Sequence, residues 1–471
     1  MPLNATDHPS SGRTRLLVRL LRSLRPPVPP EARGTARNAS RAIALCHALL
    51  SERGEISVAR LAAEALAGYT SLDESALDTF FNGLVDEFSP DSGRVQQAAQ
   101  AYRDEPFQAN LLHLQAAVES PRRELFRRFN IVPGGTAALV GMRRQLLPTL
   151  DAHPERAGVD ADLAYLFRSW FNRGFLVLER IDWRTPAVVL ERLIQYEAVH
   201  QIQGWRDLRR RLEADRRCYA FFHPALPDEP LIFIEVALTR GMAAHVQPLL
   251  DADAPVLDPD QADCAVFYSI TNCQSGLRGV SFGNFLIKQA VDDLRREFRR
   301  LRTFATLSPI PGFVQWLRTS SVDEPRSTEL GELLRRVESA APLTDVQMSE
   351  QLRREITSLC AYYLLYAKRR SEPLDPVARF HLANGARLER LNWTGDSSQT
   401  GMRQSLGLAV NYVYRLAHVE RNHESYAKTG KIAAAYELEA LARRVSRTRT
   451  AITNDIKERN ENKALESDAA L

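Results

Sequence analysis

The feature that most limits the possible folds is a change of hydrophobic period partway along the chain. From about Ala36 to Arg180, stretches such as "NASRAIALCHALLSE", "LDTFFNGLVDEF" and "DLAYLFRSWFNRGFLVL" place apolar residues every three or four positions. That spacing lines one face of a helix. After "RIDWRTPA" the apolar runs shorten and become β-branched and aromatic: "RCYAFFH", "PLIFIEVAL" and "CAVFYSITN" predict strands. "PALPDE" reads as the turn between the first two. Next come a long helix, "NFLIKQAVDDLRREFRRL", a strand, "TFATLS", and a mostly helical stretch from Phe313 to about Arg370. The helix "DPVARFHLANG" has Asp375 as N-cap, Pro376 at its first position and Gly385 closing it, and the strand "ARLERLNW" follows.

The expected architecture is therefore multidomain, α followed by α/β. Residues 1–36 form a basic, Pro-rich tail, and 37–185 a helical domain for packing or oligomerisation. Residues 186–454 form the sheet domain, with a helical insertion near 313–372, and 455–471 a C-terminal tail. In the helical part, Pro133, Gly134 and Gly135 of "NIVPGGTAAL" predict a turn, with Thr136 placed to cap the next helix.

Composition excludes several classes of protein. The balance of 62 basic and 58 acidic residues leaves +4, too little for a global field that would gather nucleic acid. No apolar run reaches the ~18 residues of a membrane helix. The five cysteines are scattered without a C-x-x-C pair, as expected in a reducing cytosol. Of the basic residues 56 are Arg and six Lys, a bias that points to a GC-rich bacterial genome. At the N-terminus "RTRLLVRLLRSLR" reads either as a basic amphipathic targeting segment or as a tail ahead of a Pro-rich hinge. No H-E-x-x-H and no close Cys/His cluster offers a metal site, and His418 and His423 fall on different faces of a helix.

Two stretches carry chemistry. Gly279-Val280-Ser281-Phe282-Gly283 matches the G-x-S-x-G nucleophile elbow, which needs a tight strand-to-helix turn. About seven residues separate this motif from the end of the preceding strand. The same loop also reads as an anion cradle: Gly276, Gly279 and Gly283 allow close backbone approach, and the next helix offers its N-terminus. Lys288, Arg295 and Arg296 then either meet a further phosphate or form a solvated helix face. In "TFATLSPIPGFVQWL", Ser308 ends a strand just before Pro309 and Pro311, which would hold it rigidly. It is either a strand terminator or a hydroxyl presented where α/β folds bind ligands. His381 is either a core histidine or a proton donor. His200 and His223 are assigned to structure.

"RGVSFGNFLI" resembles the coenzyme A pyrophosphate loop of the GNAT acetyltransferase superfamily, with Arg278 and Gly283 matching and Ser281 standing where glycine is preferred. "DPVARFHLANGARLERLNW" resembles the late helix–turn–strand of that fold. "NIVPGGT", "SWFNRGFLVLERIDW", "YEAVHQI", "VFYSITNCQSGLRGVSFGNFLIK", "LSPIPGF", "DPVARFHLANG" and "GLAVNYVY" together resemble the malonyl-CoA decarboxylase family over roughly residues 120 to 440.

The resemblance implies a GNAT-like mixed-sheet catalytic domain, a homo-oligomer and decarboxylation of malonyl-CoA to acetyl-CoA and CO2. Coenzyme A is then part of the substrate, and neither cofactor nor metal is required. It also implies catalytic Ser308 and His381, with Tyr414 near the substrate. The coenzyme A loop would comprise Gly276, Arg278, Gly279, Val280, Ser281, Gly283 and Asn284, followed by Lys288. The expected setting is the bacterial cytoplasm, with neither nucleic acid nor an integral membrane as partner. Competing expectations are a GNAT-type acyltransferase, a Ser281 thioesterase and a non-catalytic acyl-CoA sensor. An acyl-Ser308 intermediate is disfavoured, because decarboxylation transfers no acyl group.

Overall fold

The computed structural model describes residues 30–280, 286–319, 328–338 and 349–445. Its chain divides into two compact units, 1–169 and 170–471.

The first unit is helical: α1 (Pro30–Ser51), α2 (Glu55–Thr70), α3 (Glu74–Glu87), α4 (Ser92–Asp104), α5 (Gln108–Val118), α6 (Pro121–Phe129), α7 (Gly135–Leu146) and α8 (Ala157–Trp170). Helix α1 starts at Pro30, inside the segment expected to be tail, since proline is well suited to the first helical position. Asp73 and Asp91 cap α3 and α4 by accepting from Ala76 N–H and Arg94 N–H. At "NIVPGG" the cap position falls to Gly134, at φ 77°, and Thr136 lies inside the first turn, so the expected threonine cap is corrected. Phe80, Phe81, Phe126, Phe129 and Phe167 fill the core. Each such ring removed from water stabilises by about 1.5–3 kcal/mol.

The helix written in "DLAYLFRSWFNRGFLVL" stops at Trp170, and the chain enters strand β1 (Val177–Ile181). A strand was not expected before 186. β1 is an edge strand with four of its five residues at least partly exposed, so its sequence shows no in–out alternation.

The second unit continues with α9 (Ala187–Tyr196), α10 (Trp205–Arg211), β2 (Arg216–Phe222), β3 (Ile232–Thr239), α11 (Gln247–Leu250), β4 (Cys264–Asn272), α12 (Leu286–Glu297) and β5 (Thr303–Thr306). The helical insertion holds α13 (Phe313–Thr319), α14 (Thr328–Glu338) and α15 (Glu350–Tyr366), and it ends in a small ribbon, β6 (Lys368–Arg369) with β7 (Glu372–Pro373). Then come α16 (Pro376–Ala383), β8 (Arg387–Asn392), α17 (Gln399–Ser405), β9 (Ala409–Val413) and α18 (Leu416–Thr429).

Seven strands form one mixed sheet in the order β1-β2-β3-β4-β5-β9-β8. Every neighbouring pair is antiparallel except β4–β5, which is parallel. The central strands β2 to β4 are buried along almost their whole length, which explains their near-continuous apolar sequences.

The parallel pair is short and then divides. β4 and β5 stay in register from Cys264↔Thr303 to Phe267↔Thr306, and Leu307 N–H still donates to Phe267 O at 2.9 Å. Beyond that point β4 runs on with β3 alone, while the chain after Thr306 keeps its pairing with β9 through Ser308↔Val410. The sheet opens between its two halves, and Ser308 stands at this opening.

Among the described residues no helix is long and apolar enough to cross a membrane. All five cysteines are buried and unpaired.

Candidate active site

Ser308 lies two residues past β5 and is locked to β9 through its main chain. Its N–H donates to Val410 O and its carbonyl accepts from Val410 N–H, both at 2.9 Å. This reciprocal bridge holds the serine, and Pro309 then turns the chain away along the cleft wall.

His381 comes from α16. Asp375 Oδ1 caps that helix by accepting from Ala378 N–H at 2.8 Å, and Pro376 occupies its first turn, as the sequence predicts. The helix ends at Asn384 and Gly385, the latter at φ 79°. A side chain on Gly385 would start 2.2 Å from Val419 O, so only glycine fits between α16 and α18.

The His381 ring is stacked on Tyr412, with 4.6 Å between centroids and 27° between planes. Its Nδ1 lies 2.8 Å from the Tyr414 hydroxyl and its Nε2 lies 3.1 Å from Ser308 Oγ. Serine, histidine and tyrosine thus form one continuous chain, brought together although Ser308 and His381 stand 73 residues apart. Burial pushes the imidazole down to about 3, so it is neutral at ordinary pH, and burial raises the Tyr414 phenol well above its usual range.

Ser308 and His381 line an open cleft of about 750 Å³, within the range that suits a small ligand or the end of a larger one. Tyr268, Ser269 and Ile270 of β4 form one wall, and Val377 and Phe380 of α16 form another. Tyr414 lines a second cavity of about 530 Å³ with Asn384, Lys288, Arg295 and Glu420.

The loop after β4 is only partly described. Gly276 and Val280 are buried, Arg278 and Gly279 are exposed, and Gly279 sits at φ 77°. The Val280 N–H donates to Leu277 O at 2.9 Å, inside the loop itself. Ser281, Gly283 and Asn284 lie outside the described residues. β4 ends at Asn272, seven residues before Gly279, and the motif's serine lies outside the described residues. Lys288, in the first turn of α12, pairs with Glu420 at 3.2 Å.

Two polar groups escaped the sequence reading. Thr306 is fully buried, and its Oγ1 accepts from the Ser308 hydroxyl at 2.8 Å. The signal was present in "TLS", because residues two apart on a strand share a face. Glu197 of "YEAVHQI" accepts from Ser269 Oγ, Thr271 Oγ1 and the Val199 and His200 N–H groups, tying the β4 wall to the segment beside it. No spacing marks that carboxylate, since its partners are distant in sequence.

His223 is structural: its Nε2 lies 3.0 Å from Trp170 O and its ring packs on Phe171. Burial pushes His200 below its ordinary value, and its Nε2 has no hydrogen-bond partner. Among the described residues no group of three His, Cys, Asp or Glu side chains is placed to hold a metal.

Fold and site together define an enzyme-like mixed-sheet unit with a buried hydroxyl–imidazole–phenol chain facing a cleft. Residues 174–453 match the family model of the malonyl-CoA decarboxylase C-terminal domain, and residues 88–171 match that of its N-terminal domain. The mitochondrial malonyl-CoA decarboxylase of Anser anser anser is 35% identical over 416 residues, which is 80% of this chain and 82% of that protein. The crystal structure of malonyl-CoA decarboxylase from Rhodopseudomonas palustris shares 50% identity at a TM-score of 0.80, covering 85% of this chain and 98% of that one. The Agrobacterium vitis structure shares 47% at 0.78, with coverages of 85% and 99%. The chain belongs to the malonyl-CoA decarboxylase family.

Proposed function

We infer that the protein decarboxylates malonyl-CoA to acetyl-CoA and CO2, and that Ser308, His381 and Tyr414 carry the reaction. Family membership supports the activity, and the continuous hydrogen-bonded chain at the cleft is the observation that supports the residue roles. When CO2 leaves, the electron pair stays on the α-carbon and delocalises onto the thioester oxygen as an enolate. The thioester is its own electron sink, so the chemistry calls for neither an organic cofactor nor a metal. One proton must reach the α-carbon.

His381 supplies that proton from its cleft-side nitrogen, and the Tyr414 hydroxyl replaces it at Nδ1. A thioester enolate is a far stronger base than a phenolate, so this transfer runs downhill even from a buried phenol. A placed general acid contributes about 10²–10⁴ in rate. Ser308 offers its hydroxyl to the malonyl carboxylate or the nascent enolate, and a donor to a developing oxyanion adds about 3–4 kcal/mol. Coenzyme A lies with its phosphates toward residues 276–280, Lys288 and Arg295, and its thioester in the cleft. The positive end of α12 and its basic residues support that orientation.

Mass spectrometry of malonyl-CoA incubated with purified protein and EDTA, without an acceptor, tests this reading. Stoichiometric acetyl-CoA and CO2 are expected. Free coenzyme A with malonate would replace the reading with a thioesterase, and unchanged malonyl-CoA would remove it.

The setting we propose is the bacterial cytoplasm, supported by the bacterial relatives and the five unpaired thiols. Assembly as a homo-oligomer through the helical unit belongs to the same proposal. Its support is the set of large apolar side chains that unit exposes, among them Ile56, Phe107, Leu112 and Ile131. Light scattering that returns a monomer at micromolar concentration would rule the assembly out.

A further inference from the structure

The Ser308 hydroxyl has one proton and two polar neighbours. Thr306 Oγ1 lies 2.8 Å away in the geometry of an acceptor, with serine as donor. Thr306 Oγ1 also accepts the Tyr412 N–H at 3.1 Å, so both of its acceptor sites are filled. The Thr306 carbonyl accepts from Asn411 Nδ2 at 2.6 Å, which fixes the threonine from the same strand, β9. With its proton directed to Thr306, Ser308 Oγ can only accept from the other neighbour, His381 Nε2, 3.1 Å away. A neutral imidazole donates from one nitrogen and accepts at the other. Nε2 therefore carries the hydrogen, and Nδ1 accepts the Tyr414 hydroxyl at 2.8 Å.

We propose that Thr306 is a positioning residue that sets the direction of the whole proton chain, from Tyr414 to His381 to Ser308 to Thr306, and so keeps the His381 proton on its cleft side while denying Ser308 a base. This rests on the decarboxylase reading for its consequence. The acid faces the substrate before binding. An enolate oxygen accepts far better than a threonine hydroxyl, so Ser308 turns its proton from Thr306 to the substrate only as charge develops, an interaction made in the transition state. A nucleophilic serine would need the reverse direction, with its hydroxyl donating to Nε2, and the acceptor at Thr306 opposes that.

The test reads the His381 tautomer in the ligand-free, full-length protein by long-range hydrogen–nitrogen correlation of isotope-labelled imidazoles. The resonance is assigned by its loss in His381→Gln. The wild type should carry hydrogen on Nε2. Thr306→Val keeps the shape without the hydroxyl, and it should shift the hydrogen to Nδ1. The same variant should lower kcat about 10–100-fold with KM within about threefold. Thr306→Ser, which keeps the hydroxyl, should restore both readouts. Should the valine variant not fold, Thr306→Cys, a weaker acceptor, carries the same comparison.

A wild-type Nδ1–H tautomer would overturn the proposal. So would a valine variant that keeps the Nε2–H tautomer, whether or not its kcat falls. The tautomer is measured without substrate, so it stands apart from the decarboxylase reading, which fails only if the wild type makes no acetyl-CoA.

Discussion

The His381 imidazole lies on the ring of Tyr412, and that stack turns its two nitrogens toward Tyr414 on one side and Ser308 on the other. Turning the imidazole about its Cβ–Cγ bond would break the stack, and the two hydrogen bonds fix which nitrogen faces each partner. The ring is therefore held from three directions.

Tyr414→Phe removes the hydroxyl that meets Nδ1, the group proposed to reprotonate it, and leaves the ring stack in place. Steady-state kinetics should show kcat down about 10–100-fold, with KM within about threefold, the pattern of a contact used in the transition state. Wild-type kcat in this variant would take Tyr414 out of the chemistry.

Burial holds His381 at about 3 against an ordinary 6.5, so its imidazole should not titrate between pH 5 and 8 in the ligand-free protein. Between those two values the unfolded chain binds a proton that the folded protein does not. The stability contributed by this neutral histidine is complete above 6.5 and is lost as pH falls toward 3, by up to about 1.4 kcal/mol per pH unit. Asp375, which burial raises to about 6, acts in the opposite sense but is common to wild type and His381→Gln. Urea unfolding at pH 6.5 and 5 should therefore show the wild type losing about 1–2 kcal/mol more than His381→Gln. Parallel losses would contradict the buried neutral state.

Gly385→Ala places a methyl 2.2 Å from Val419 O at a backbone angle that L-residues avoid. Stability should fall by about 3 kcal/mol or more, because α16 and α18 must separate at the turn that ends the histidine helix. A loss under about 1 kcal/mol would mean that the turn relaxes freely.

Lys288→Ala breaks a largely exposed pair with Glu420, so its effect on stability should be small. A phosphate contact by this lysine predicts KM for malonyl-CoA up about 3–10-fold with kcat unchanged, since uniform binding does not alter the chemical step. KM at the wild-type value would remove Lys288 from the substrate site.

Much of this was legible in the sequence. The strands at "RCYAFFH", "PLIFIEVAL" and "CAVFYSITN" have the β-branched, aromatic content of a sheet interior, and all three form there. Asp375, Pro376 and Gly385 bracket their helix for local reasons of capping and backbone angle, which need no tertiary context. Strand β1 was hidden because an exposed edge strand buries too little to pattern its residues. The sequence suggests that two prolines hold Ser308, yet its main chain is fixed by the Val410 amide and carbonyl, a pairing over a hundred residues long that no local rule encodes. The direction of the proton chain was invisible for a related reason: it depends on the angles at a threonine hydroxyl that the residue types leave open.

Three fixed points of the site belong to one stretch of chain, β9 and the residue after it. The Val410 main chain holds Ser308, the Tyr412 ring supports His381 and the Tyr414 hydroxyl meets its Nδ1. These three stand two residues apart, so a strand repeat of about 6.6–6.8 Å per pair of residues serves as the length standard for the reacting groups. The helices between Ser308 and His381 supply none of these three contacts. Substitutions within them leave the spacing of the three supports unchanged.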